Sequence, residues 1–195
     1  FNIFLMLIVS QNALNHNIEF PDSTVYRINL AWINSIEELE ILLKNHNTQP
    51  IFLDLPKGRI KPPDNRYTLE DLFNILNIYK NIKYFAISNV NHPDDLKIYT
   101  KVIPKEIILV PKIESPTGII NIKTIVDSIP TSKKILMLDH DDLYSSIIKN
   151  KEPSSKFTEY IQTLSEFCNK NNVTLLRTIG VIFSDEEKRT TQYIQ

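Results

Sequence analysis

Several short stretches carry side chains whose types and spacing could do chemistry. Ile107 to Ser115 reads IILVPKIES: apolar, mostly β-branched residues at Ile107 to Val110 and Ile113, with Lys112 and Glu114 two apart. Such a run fits a strand buried on both faces. Side chains at i and i+2 of a strand point to one side. A cation and an anion then project together from the carboxyl end of a buried strand, where parallel α/β folds keep their chemistry. The competing reading is a Lys–Glu pair at a strand end on the surface. Same-face spacing recurs in Arg27-x-Asn29. Asp54 ends IFLDL, with Lys57, Arg59 and Lys61 in the turn that follows. Asp139-His140-Asp141-Asp142 ends a further strand, and Arg177-Thr178 another. Two carboxylates from neighbouring strands can hold Mg²⁺ or Mn²⁺ and leave positions open for substrate oxygens. Arginine and lysine can clamp a phosphate or carboxylate.

The elements that must position these residues alternate along the chain. Strands are expected over Asn2 to Val9, Thr24 to Leu30, Ile51 to Leu55, Lys83 to Val90, Ile107 to Ser115, Lys134 to Leu138 and Val173 to Arg177. Helices are expected over Ser35 to Asn45, where Ile36, Leu39, Leu42 and Leu43 make one stripe, and after Thr68-x-x-Asp71. Others follow Pro93 and span Ile122 to Ile129 and Phe157 to Asn169, and Ser184 should cap a last helix running towards the end. Alternation with crossover-length connections predicts a parallel sheet with right-handed units in one domain, 1–195. Neither Gly-x-Gly-x-x-Gly nor Gly-x-x-x-x-Gly-Lys occurs, which removes the usual nucleotide signatures of open sheets. Polar residues at nearly every strand end favour a (β/α)8-type TIM barrel. The chain is short of the roughly 250 residues typical of one, and an eighth strand is missing from the pattern, so the barrel is expected complete or lacking a unit.

Composition bounds the function classes. Hydrophobic residues make up 42% and charged residues 23% of 195, ordinary for a soluble domain. A formal net charge of -1 makes no electrostatic case for nucleic acid or an anionic membrane as partner. The apolar start FNIFLMLIV is far short of the roughly twenty residues a membrane span needs, and a buried strand is the better reading. The single cysteine, Cys168, cannot form an internal disulfide and fits a reducing, cytoplasmic setting. It sits on the apolar face of a helix, as a core residue should, and Trp32 is expected to pack. His140 is open as a ligand, a base or a solvated loop residue.

PKIESPTGIIN after a hydrophobic strand resembles the barrel domain of pyruvate kinase and the phosphoenolpyruvate superfamily. RINLAW, LDLPKGRIK, LMLDHDDLY and LLRTIGVI are similar to further segments of that family, in the same order. The resemblance implies a metal-dependent enzyme acting on phosphoenolpyruvate, pyruvate or a similar 2-oxo acid through an enolate. It implies Glu114 and Asp142 as ligands of Mg²⁺ or Mn²⁺, and Lys112 and Arg27 on the transferring phosphoryl group. Thr178 would help place the proton donor. Asn29 and Asp54 would belong to a K⁺ site, and Lys61 would be the basic residue ending the aspartate turn, facing the anionic substrate. The chain departs from the family in several places. Ala31 and Leu55 replace the serine and threonine of the K⁺ site, and Asp141 replaces a glycine. No lid domain follows the third strand, and no regulatory carboxyl-terminal domain is present. Citrate-lyase-β-like and hydroxy-acid aldolases share the layout and lack a lid, which implies a carbon–carbon lyase as the alternative. A barrel that has lost its chemistry and serves as a binding scaffold is the non-enzyme reading. A homo-oligomer is compatible with each.

Overall fold

The computed structural model describes residues 7–10, 21, 23–59, 62–182 and 189–194. Seven strands run parallel and neighbour one another in chain order: β1 (Ile8–Ser10), β2 (Val25–Asn29), β3 (Ile51–Leu55), β4 (Ile82–Ile87), β5 (Ile108–Ile113), β6 (Ile135–Leu138) and β7 (Thr174–Ile182). Helices cover them: α1 (Ile36–Asn45), α2 (Leu69–Ile78), α3 (Lys97–Val102), α4 (Pro116–Ile120), α5 (Ile122–Ser128), α6 (His140–Lys149) and α7 (Lys156–Lys170). Among the described residues no helix is long and apolar enough to cross a membrane.

The expected (β/α)8 barrel is corrected here. The seven parallel strands make a curled sheet that no eighth β/α unit closes. Between β7 and β1 lies β8 (Arg189–Ile194), antiparallel to both. Chain length gives the reason. A parallel partner needs a crossover of about a dozen residues or more, and only positions 183–188 separate β7 from β8. The last helix expected from Ser184 has its start outside the described residues, and over Arg189–Ile194 it is overturned by a strand. Thr190, Thr191, Tyr193 and Ile194 are β-branched or aromatic and suit a strand.

Alternation along each strand divides the apolar residues into two sets. Ile28, Leu53, Ile87, Leu109 and Leu136 join the layer between sheet and helices. Val25, Phe52, Ala86, Val110, Met137 and Leu176 fill the inside of the curl. Each strand's next inward position, towards its carboxyl end, carries a polar group instead. Cys168 is buried as expected, but Trp32 is 48% exposed and is not part of the core.

Local chemistry sets the helix starts. Ser35 Oγ accepts from Glu38 N at 3.2 Å, and Thr68 and Asp71 form a capping box. The helix expected over Ile122 to Ile129 is α5, and a short helix not expected, α4, precedes it, the two meeting at Asn121. Gly118 in α4 packs against the β4–α3 loop, where a Cβ would stand 2.7 Å from the carbonyl oxygen of Val90. Gly118→Ala should therefore lower stability by about 1–3 kcal/mol, against about 1 kcal/mol for Thr68→Ala. Urea unfolding of both variants measures the difference.

Candidate functional site

Lys112 on β5 and Glu114 just beyond it are 5% and 3% exposed, so they are not a surface pair. Lys112 Nζ donates to Ser88 Oγ at 3.0 Å and lies 3.0 Å from Glu114 Oε1 and 3.5 Å from Asp54 Oδ2. Across the sheet, Arg27 Nε donates to Asp54 Oδ2 at 2.9 Å, and the guanidinium makes a second contact to the same oxygen. These four are the buried charged side chains among the described residues, and their formal charges cancel.

The fields on the two carboxylates differ. Burial pushes Asp54 up, but Lys112 and then Arg27 more than reverse this and hold it below its ordinary value. Glu114 is held above its ordinary value. Burial is the main cause and Asp139 adds to it, while Lys112 and the backbone N–H of Asn89 oppose. That N–H donates to Glu114 Oε2 at 2.6 Å. Asn89 can offer it because its φ is 56°, a left-handed bend that asparagine tolerates. Its side chain is tied to the Lys57 carbonyl at 2.7 Å.

Asp139 ends β6 and caps α6, its Oδ1 accepting from Asp141 N at 3.1 Å and Asp142 N at 3.2 Å. This cap places Asp142 in the helix's first turn. Ligand oxygens of Glu114, Asp139 and Asp142 all lie within 4.8 Å of one another. Three carboxylates with no soft donor suit a hard cation such as Mg²⁺ or Mn²⁺. Glu114 Oε1 fits that use, being buried without an aligned hydrogen bond. His140 is not in this group. Its ring lies edge-on to Phe157, and burial, then Arg177, pushes its pKa down.

Arg27, Lys112, Glu114, Asp139 and Asp142 line one cavity of about 420 Å³, whose rim carries Arg59 and Lys149. Asn29 also faces it, with Oδ1 accepting from Ala31 N at 3.0 Å. Asp54 does not line the cavity; it lies beneath, on its two cations. Thr178 is in β7, in register with Tyr193 of β8. Lys61 lies outside the described residues. Sequence reasoning passed over Ser88, Asn89 and the place of Asp139 in the carboxylate cluster. Polar Ser88-Asn89 after the apolar run of β4 was the available signal for the first two. Asp139 was legible as a strand end but not as a cap.

No family model matches the chain, and no curated protein sequence matches it. Among solved structures it is similar to RipC from Yersinia pestis, with 17% identity and a TM-score of 0.57 over 84% of this chain and 72% of that one. At that identity the likeness shows the fold alone.

The field on Glu114 makes a stability prediction for the metal-free protein. Its folded-state pKa is raised, so ionisation costs stability as pH rises from the ordinary carboxylate value through the folded one. Wild-type unfolding temperature should fall between pH 4 and pH 7 in the presence of a chelator through this ionisation, and Glu114→Gln should lack that part of the fall. Thermal scans of both proteins across that range measure the difference.

Proposed function

We propose that this chain is a divalent-metal-dependent enzyme acting on a small 2-oxo acid or its enol phosphate through an enolate, in the manner of the pyruvate kinase superfamily. One observation carries the reading: three carboxylates within 4.8 Å of one another share a cavity with a lysine ammonium and an arginine guanidinium. Glu114, Asp139 and Asp142 would hold Mg²⁺ or Mn²⁺. When bound, the ion supplies the positive charge that stabilises an enolate oxygen. Arg27 and Lys112 bind the substrate's carboxylate or phosphoryl oxygens through charge-assisted hydrogen bonds. Ser88 fixes the direction of the Lys112 ammonium. Low exposure at the floor excludes water, so each of these charges acts at more than its strength in solvent. Thr178 keeps its role in placing the proton donor on the resemblance alone.

The connection from Pro56 to Thr68 favours the carbon–carbon lyase as a second reading. It joins β3 directly to α2, with no inserted domain to cover a nucleotide. K⁺ finds little support at Asp54, whose charge is already met by Arg27 and Lys112.

Titration with Mn²⁺, alone and with oxalate, pyruvate or phosphoenolpyruvate, tests the reading. Wild type should bind the ion, and each acid should tighten it. Glu114→Gln should weaken Mn²⁺ by about 100-fold or more, beyond the loss typical of an outer-shell partner. An unchanged affinity in that variant would remove the site assignment. Metal binding without phosphoryl transfer to ADP would favour the lyase. Binding of neither metal nor acid would leave the non-catalytic scaffold.

A further inference from the structure

Asp54 does not face the cavity, yet one of its oxygens serves two cations that do. It is 1% exposed, on β3, between Arg27 on β2 and Lys112 on β5. Strand β4 intervenes, and carries the small Ala86 in register with Asp54. Lys112 can therefore reach across to within 3.5 Å of Asp54 Oδ2.

We propose that Asp54 is a positioning residue and permanent counter-ion, which aims Arg27 and Lys112 into the cavity and makes room electrostatically for a divalent cation beside them. The proposal rests on the metal reading above. Without an ion, Lys112 has two anions near it, Glu114 and Asp54. An ion held by Glu114 draws on that carboxylate's charge. Asp54 is then the buried anion left to balance two buried cations. Removing its charge would leave the two cations less compensated against the incoming ion, although Asp54 does not line the cavity. The same loss would free the Arg27 guanidinium from the oxygen that holds it.

The test is a charge-balance cycle with Mn²⁺ as probe. Asp54→Asn keeps the shape and removes the charge, and should weaken Mn²⁺ by about tenfold, the scale of one screened charge nearby. Adding Lys112→Met to it removes one cation as well. The double variant, its buried charge balanced again, should bind Mn²⁺ to within about threefold of wild type. A double variant that stays as weak as Asp54→Asn, or an unchanged affinity in Asp54→Asn, overturns the proposal. The double variant has balanced charge and covers the case in which Asp54→Asn fails to fold.

A second readout needs no metal. Exchange of the Arg27 Nε proton, followed by NMR, should be at least about tenfold faster in the charge-balanced double variant than in Lys112→Met. Equal rates would overturn the positioning role. If wild type binds no Mn²⁺, the metal reading and the counter-ion half fall together, and the exchange rates alone decide whether Asp54 positions Arg27.

Discussion

Four charges buried where the sheet curls are the constraint on which the rest of the structure depends. Arg27, Asp54, Lys112 and Glu114 sit directly above an apolar interior of Val25, Phe52, Val110 and Met137. Nothing below can hydrate them, and an unpaired ion there would cost several kcal/mol. They meet part of the demand among themselves and part through Ser88 and the Asn89 N–H, and this constrains strand register. Asn29, Asp54, Ala86 and Val110 stand at one level on adjacent strands, with Ser88 and Lys112 further along on β4 and β5. A bulky side chain in place of Ala86 would stand between Asp54 and Lys112. Slipping one strand by a residue would turn a charge into the layer of helices.

The acidic side of the cavity is built differently, from helix and loop starts. Asp139 spends one carboxylate oxygen on the first backbone N–H groups of α6, and this brings Asp142 beside Glu114. Negative charge at a helix N-terminus is favoured by the helix dipole, which offsets part of the repulsion among the three carboxylates. Glu114 is steadied from the opposite side by the left-handed turn at Asn89. Gly118 allows α4 to approach the β4–α3 loop, next to the same turn. Strands thus supply the cations, and the turns and helix starts that follow them gather the carboxylates.

Closure of the ring is where this chain leaves the pure β/α pattern. Strand β7 runs nine residues, well past its partner β6, and folds back as a hairpin onto β8. The wall next to β1 is therefore a two-stranded antiparallel ribbon. Thr178 stands at the base of that ribbon and not at the start of a β/α loop.

Sequence alone determined the parallel strand order, the buried focal strand and the polar strand ends, because periods of two and 3.6 are local properties that neighbouring residues reveal. It also put Lys112 and Glu114 on one face, since that follows from strand geometry. Several features lay beyond it. The pairing of Asp54 with Arg27 joins residues on separate strands. The role of Asn89 depends on a backbone angle, and that of Asp139 on a helix start hidden within an acidic run. The antiparallel β8 depends on pairing with β7 and β1, strands distant from one another in the chain. Distance through space, edge pairing and burial are sums over the whole chain, so only the tertiary structure could decide which of the legible charges meet.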